Sequence, residues 1–523
     1  MNFGFIIDNR KCIGCHACTV ACKAEHEVPV GVNRTWVKYI EKGTFPDTRR
    51  LFSVMRCNHC ADAPCVEICP VTALFTRKDG IVDFDDRRCI GCKACTQACP
   101  YDALYMHPDE HTAAKCNYCS HRTDIGLEPA CVNVCPEHAI ISGDMDNPQT
   151  EISKLLAMET VSVRKPEKGT RPKLFYIDGD KASLDPTGAN PDTDYMWSSQ
   201  SSGVGHYAKF AEERKRVTAD QSVPNALYQI EPRKNNDARR VYDAPGKGVL
   251  WGWEVSAYVW TKAISAGAFL VPFLFLKLFS GRATDTVQYL GAGAALVFLG
   301  ITGFLLTKDL GRPERFLYVL LRPQWRSWLV RGAYIITLYG LDLSLWWVAK
   351  LLKWNAALPV IEWIGVVLAV LTAVYTAFLF AQAKGRDFWQ SPMLGLHMIV
   401  HAVMAGTAVF AVAGSYFGEN WVGIAILRYV IAVSLMVSLL ILSLEIWTTH
   451  TTDDARATIE LVTDGRFNTA FWVGMVTIGN LVPLMFVMLG PAAAIAPAGV
   501  LILIGLGFAE HIWVRAPQMI PLS

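Results

Sequence analysis

Two patterns of hydrophobic spacing divide this chain. Up to about residue 245 the apolar positions come in short alternating runs broken by turn residues, and from about 250 to 515 they come in long unbroken stretches. In the first part, Phe3 to Asp8 reads as a strand and Ala73 to Phe84 as a hairpin turning at Asp79-Gly80. Ala139 to Ser142 reads as a further strand and Asn147 to Met158 as a capped helix. Residues 160–249 carry Lys, Asp, Pro and Ser with few apolar runs, which reads as an extended tail or docking arm. In the second part eight spans approach the roughly 20 residues that a bilayer requires. They cover about 252–278, 287–307, 328–352, 358–382, 393–416, 421–447, 469–490 and 493–514. The expected organisation is therefore 1–159, a tail at 160–249, and an all-α membrane domain over 250–523.

Composition agrees with membrane spans: 52% of residues are hydrophobic and only 18% charged. Charge excludes a nucleic-acid footprint, since Lys+Arg 49 against Asp+Glu 47 leaves +2. With eight spans both termini share a side. On that side lie eleven basic residues, from Lys308 to Arg515, against four (Lys277, Arg282, Lys350, Lys353) in the opposite loops. The positive-inside rule then puts the N-terminal domain in the cytoplasm, on a multi-pass cytoplasmic-membrane protein. Met1 to Arg10 lacks the apolar core of a secretory signal, and Arg49-Arg50 falls too late for a twin-arginine leader.

The chemistry sits in the cysteines. All 16 fall between Cys12 and Cys135. Cys12, Cys15, Cys18 and Cys22 form C-x2-C-x2-C-x3-C, and Cys89, Cys92, Cys95 and Cys99 repeat it. Cys57, Cys60, Cys65 and Cys69 give C-x2-C-x4-C-x3-C, and Cys116, Cys119, Cys131 and Cys135 give C-x2-C-x11-C-x3-C. Paired C-x2-C motifs also suit structural zinc. The close third cysteine, the C-x3-C step and Pro70, Pro100 and Pro136 after the fourth thiol favour ferredoxin-type [4Fe–4S] ligation instead. Internal repetition supports two units: Lys11–Cys22 is nearly copied at Arg88–Cys99, and Arg56-Cys-Asn-His-Cys60 echoes Lys115-Cys-Asn-Tyr-Cys119. Four quartets read as four [4Fe–4S] clusters in an α+β double ferredoxin-like domain.

These motifs resemble the four-cluster electron-transfer subunits of molybdopterin oxidoreductases, the group of dimethyl sulfoxide reductase, polysulfide reductase and formate dehydrogenase. The resemblance covers about residues 1–145. It implies crossed quartets: Cys12, Cys15 and Cys18 with Cys135; Cys116, Cys119 and Cys131 with Cys22; Cys57, Cys60 and Cys65 with Cys99; Cys89, Cys92 and Cys95 with Cys69. The apolar half is similar to NrfD-type polysulfide reductase membrane subunits with eight helices. The matching residues are Ser265-Ala-Gly-Ala268, Asp309-Leu-Gly-Arg-Pro-Glu-Arg-Phe316 and Tyr375-Thr-Ala-Phe378. The two halves are separate chains in most such relatives and fused here, which favours a cytoplasmic cluster domain. The resemblance implies electron exchange with quinone, a molybdopterin-type catalytic partner and no haem.

Ionisable residues in apolar spans are costly and therefore functional candidates. Glu254, Tyr258 and Lys262 open the first span on the cluster side, Asp309 and Arg312 follow the second, Tyr375 approaches that side in the fourth, and His397 and His401 open the fifth. Glu254, Tyr258, Asp309, Arg312, Tyr375 and His401 are the candidate quinone residues. The bland alternatives are interfacial tyrosines, an Asp309 paired with Arg312 or Arg315, and a haem pair completed by His450 or His511. Asp342, Glu362 and Glu445 read either as a proton path or as buried structural pairs. The expected function is an electron-transfer and membrane-anchor subunit of a respiratory oxidoreductase. A redox-coupled ion-translocating module and a membrane tether of a hydrogenase are the rivals.

Overall fold

The computed structural model describes residues 1–191, 238–244, 246–276, 285–417, 424–450 and 452–523. The basic residues Lys277 and Arg282, and most of the expected tail, lie outside the described residues.

The N-terminal half contains four small sheets. Strands β1 (Phe3–Asp8), β2 (Thr35–Thr44) and β3 (Asp47–Arg56) come first, β2 and β3 as one long antiparallel hairpin. Two short hairpins follow, β4 (Leu74–Thr76) with β5 (Val82–Phe84) and β6 (Leu104–Met106) with β7 (Ala113–Lys115). Each short hairpin follows a C-P step, at Pro70 and Pro100, so the repeat in the thiols is also a repeat in the fold. Strands β8 (Ile140–Asp144), β9 (Val161–Ser162) and β10 (Leu174–Ile177) complete a sheet ordered β8-β1-β10-β9. The helix expected after Asn147 runs Glu151–Met158, with the Thr150 hydroxyl capping Ser153 N.

Residues 161–177, expected as part of an extended tail, are thus woven into the domain. Strand β10 pairs in parallel with β1, and Leu174, Tyr176 and Ile177 are buried. Two further strands, β11 (Asn190–Pro191) and β12 (Ala238–Tyr242), extend the β2-β3 sheet. Strands this short show too little periodicity to stand out in a polar stretch.

The second half is helical: α1 (Trp253–Leu270), α2 (Asp285–Lys308), α3 (Trp328–Leu351), α4 (Leu358–Gln382), α5 (Leu394–Phe417), α6 (Ile424–Trp447), α7 (Ala470–Leu489) and α8 (Ile495–Arg515). Helix α7 opens with a π-helical stretch, Ala470–Leu481. Among the described residues seven helices, α2 to α8, are long and apolar enough to cross a membrane. The first expected span is more polar than the others. Helix α1 carries Glu254 and Lys262 and continues as a π-helical turn, Val271–Leu276. It packs against α2, α4, α5 and α8, and nearly every residue from Val255 to Leu270 is buried. A helix enclosed by other helices needs no apolar outer face, which explains its weaker hydropathy.

Small residues make that enclosure possible. A Cβ on Gly406 of α5 would collide with the backbone of Gly267 in α1, and one on Gly267 with Ala402 O. Ser265 and Ala268 of the same motif are fully buried, and Ser265 Oγ donates to Ala295 O of α2 at 2.7 Å. Gly406→Leu should therefore destabilise the bundle by about 1–3 kcal/mol or more through overpacking. Gly300→Leu, where the added side chain meets nothing, should be neutral. Thermal unfolding in detergent compares the two, and equal melting would contradict the packing assignment.

Candidate functional site

The thiols assemble crosswise. In each quartet a short helix carries the third cysteine, and the fourth stands in it or shortly after. Cys18 and Cys22 lie in Ala17–Glu25, Cys65 in Pro64–Ile68, Cys95 in Ala94–Ala98 and Cys131 in Ala130–Asn133. One helical turn separates the two thiols, enough for them to serve neighbouring centres. A first tetrad, Cys12, Cys15, Cys18 and Cys135, lines one hollow. Cys69, Cys89, Cys92 and Cys95 line another, the fourth tetrad. Cys22 interacts electrostatically with Cys116, Cys119 and Cys131, and Cys99 with Cys57, Cys60 and Cys65, giving the second and third. Contacts of the same kind join Cys18 to Cys131, Cys116 to Cys57 and Cys95 to Cys65. The tetrads therefore stand in line, first to fourth.

Their chemistry suits a polynuclear iron–sulfur group. All 16 cysteines are free of disulfides. Burial pushes the Cys18 and Cys116 thiols up to about 12, so they ionise only where positive charge compensates. Backbone N–H groups point at the sulfurs: Ala73 N at Cys69 and Ala139 N at Cys135, both 3.2 Å, and Ala113 N at Cys89, 3.4 Å. His26 Nε2 stands 3.1 Å from Cys119 Sγ.

Arg56 is the group that spacing alone did not flag. It is fully buried, donates from Nη1 to Cys131 Sγ at 3.1 Å and stacks over the Phe5 ring. Its Nε and Nη2 have no hydrogen bond among the described residues. The counterpart in the repeat, Lys115, is also fully buried and donates to Cys116 O at 2.6 Å. The signal was in the sequence: a basic residue precedes both quartets.

The fourth tetrad meets the membrane half. Gly311 N donates to Gly91 O and Arg312 N to Ile90 O, each at 3.1 Å. Gly91 has φ +70°, and a Cβ there would strike Gly311, so only glycine allows the two loops to touch. Trp251 Nε1 donates to Cys92 O at 3.1 Å, Ser327 Oγ to Ile68 O at 2.7 Å, and Arg315 Nη1 to Cys89 O at 2.9 Å. At the opposite end of the line Cys15 is exposed, beside Ile13 and Val20, which are 55% and 65% exposed.

The candidate quinone residues divide on this geometry. Asp309, expected to pair with Arg312 or Arg315 if structural, instead accepts from Lys93 Nζ at 2.9 Å, directly beside Cys92. Burial pushes its carboxyl up to about 6 against the opposing pull of Lys93. Glu254 faces Lys308 at 3.9 Å and is also felt by Asp309. Tyr258 and Tyr375 are both buried, and Tyr258 lies within electrostatic reach of Tyr375, Asp309 and Glu510. Lys262 Nζ sits 4.8 Å from the Tyr375 ring and bonds Thr376 Oγ1. Arg312 does not join this group. Its guanidinium bonds Glu110 of the cluster domain at 2.7 Å, so it serves docking. His401 stands one step away, paired with Glu510. Glu510, Lys93 and Thr376 were missed, although an acid inside an apolar run is the same signal that marked Asp309.

Residues 244–520 match the family model described as "Polysulphide reductase, NrfD", and residues 11–74 and 48–145 match two models of a 4Fe-4S dicluster domain. The N-terminal part is similar to the B subunit of tetrathionate reductase of Salmonella typhimurium, 43% identical over 35% of this chain and 75% of that protein. The B component of polysulfide reductase of Wolinella succinogenes is 40% identical over 35% of this chain and 97% of its own length. The arsenate respiratory reductase iron-sulfur subunit ArrB of a Shewanella species is 35% identical over 34% and 96%.

If Arg56 holds positive charge against the second tetrad, Arg56→Met should lower the reduction potential of the group bound there. Loss of a charged hydrogen bond of about 1.5–3 kcal/mol corresponds to roughly 60–130 mV for one electron. A redox titration followed by EPR measures it, and an unmoved midpoint would contradict the assignment.

Proposed function

This protein belongs to the polysulphide reductase NrfD family, fused behind an iron–sulfur dicluster region, and on that premise we propose that it relays electrons between a catalytic partner and a quinone in the bilayer. It is an electron-transfer and membrane subunit of an oxidoreductase complex, as its relatives are subunits of tetrathionate, polysulfide and arsenate reductases. We infer a molybdopterin-type catalytic subunit as the partner. It would dock at the first tetrad, where Cys15, Ile13 and Val20 are exposed.

Each tetrad would hold one [4Fe–4S] cluster, which when bound supplies a one-electron relay. The chain's own residues set the order of the line, exclude water from the buried thiols and aim N–H groups at the sulfurs. The observation that carries the reading is the seat of the fourth tetrad, backed by Lys93 and Asp309 and adjoining the buried Tyr258 and Tyr375. A quinone headgroup there would find hydrogen-bond donors in the two tyrosines and a proton-exchanging carboxyl in Asp309.

Helix α1 is read as an eighth crossing, enclosed by α2, α4, α5 and α8. The cluster side is read as cytoplasmic. Three of its eleven basic residues, Arg312, Arg315 and Arg386, bond the cluster domain, leaving eight against four in the opposite loops. A second reading, an ion-translocating module, draws on Asp342 of α3, whose buried Oδ2 has no hydrogen bond among the described residues.

Tyr375→Phe and Asp309→Asn test the quinone reading in the purified complex, whose metal content and co-isolated large subunit identify the partner. Each variant should slow quinone turnover on the order of tenfold or more while leaving the iron–sulfur EPR signals intact. Unchanged quinone kinetics in both would remove the site, and nickel instead of molybdenum or tungsten would replace the partner.

A further inference from the structure

Five buried titratable side chains from four helices follow one another beside the proposed quinone site. Lys262 of α1 is 1% exposed, and besides Thr376 Oγ1 its ammonium bonds Ala373 O at 3.1 Å. It lies within electrostatic reach of Glu510 of α8, with no direct ion pair between them among the described residues. Glu510 Oε1 is 2.7 Å from His401 Nδ1 of α5. The His401 ring meets the His397 ring edge-on, with centroids 4.1 Å apart. His397 Nδ1 stands 3.3 Å from Glu445 Oε2 of α6, close enough for an ion pair but not aligned as a hydrogen bond, and neither His397 nitrogen has a hydrogen-bond partner among the described residues. Tyr375 of α4 packs over Lys262 at the end nearest the proposed quinone site. At the other end, Glu445 lies two residues before Trp447, which is 76% exposed at the cluster-side end of α6.

Structural ion pairs would account for any one of these contacts. They do not account for the series. Burying a charge costs several kcal/mol unless it is paired and hydrogen-bonded. Yet His397 and Glu445 are buried together without an aligned bond, and the two imidazole rings meet edge to face. A chain of groups that each exchange a proton with the next tolerates such loose geometry, because its members change partners as they work. The line also stays in the cluster-side half of the bundle: His397 and His401 open α5, Glu445 closes α6 and Glu510 closes α8. It therefore leads from the pocket back to the cluster-facing surface and does not cross the membrane.

We propose that Glu445, His397, His401, Glu510 and Lys262 form a proton relay joining the cluster-facing surface to the quinone pocket. The proposal rests on the quinone reading. Lys262 gives a proton to a quinone oxygen and recovers one from Glu510; Glu510 recovers from His401, His401 from His397 and His397 from Glu445, which is re-protonated at the surface. Two such passages, with two electrons arriving along the tetrad line, turn one quinone into one quinol. The reverse transfers oxidise quinol and return both protons to the same side.

The test uses the purified complex with Glu510→Gln and His397→Asn, and with Glu510→Asp as the conservative variant. Turnover with a soluble quinone and quinone affinity by equilibrium titration are read separately. The expected result is a fall in kcat of about tenfold or more with affinity unchanged. Glu510→Asp should recover part of the rate, and added imidazole should restore part of it to His397→Asn. Unchanged kcat in both variants overturns the relay. A loss of quinone affinity, or a loss of rate that neither Glu510→Asp nor imidazole relieves, also overturns it, because either marks a structural role. Failure of the wild-type complex to bind quinone at all overturns the underlying quinone reading instead, and the relay falls with it.

Discussion

Everything else in this molecule depends on two glycines touching. The turn of the third cysteine quartet and the loop after the second membrane helix meet backbone to backbone at Gly91 and Gly311, with hydrogen bonds from Gly311 N and Arg312 N. No side chain fits between them. That contact seats the fourth thiol tetrad on the helical domain and lets Lys93, the residue after Cys92, reach Asp309. The surrounding bonds are individually modest, about 0.5–1.5 kcal/mol each for the neutral donors Trp251 and Ser327 and about 1.5–3 kcal/mol each for Arg315 and Arg386. They are distributed around one point and fix its orientation, which a single strong bond would not. Gly14, the equivalent of Gly91 in the first quartet, packs instead against the Phe52 ring. The same local turn thus serves an internal contact at one end of the line and an inter-domain contact at the other.

A consequence is that the repeat is symmetric in sequence but directional in space. Both ferredoxin-like units use the same helical turn to pass a fourth thiol to a neighbouring tetrad. Only one of them presents its loop to the membrane half, while the other leaves Cys15 exposed. The buried cations Arg56 and Lys115 stand at matching positions of the repeat, each beside a tetrad in the interior of the line. Direction comes from what each turn packs against.

Much of this was legible in the residues, and for identifiable reasons. Thiol spacing is a local constraint, so the four quartets could be read directly, as could the hairpin after the second of them, while the β6-β7 hairpin was not read. The crossed grouping could not be read from spacing and came with the family resemblance. The long apolar runs gave the helix positions within a few residues, because every lipid-facing helix must be apolar along its length. Helix α1 escaped that logic because it faces other helices, and it was correspondingly too polar to rank with the seven. Strand β10 was read as part of a tail because four residues carry almost no period, and its burial is decided by β1, about 170 residues away. Asp309 was singled out for its place in an apolar context, but its partner Lys93 lies 216 residues earlier and had no signal of its own. Arg312 looked equivalent to Asp309 in sequence and was separated from it only by the position of Glu110.

On the proposed reading, the Gly91–Gly311 contact holds the fourth tetrad close enough to the quinone site for electrons to pass between them. Gly311→Val would wedge that contact open while leaving every cysteine in place. The most direct measurement is the rate at which added quinol or quinone changes the iron–sulfur EPR signals of the purified complex, compared with reduction by dithionite. Gly311→Val should lose most of the quinone-linked exchange and keep the dithionite-reducible signals. Quinone-linked exchange at the wild-type rate in that variant would contradict it.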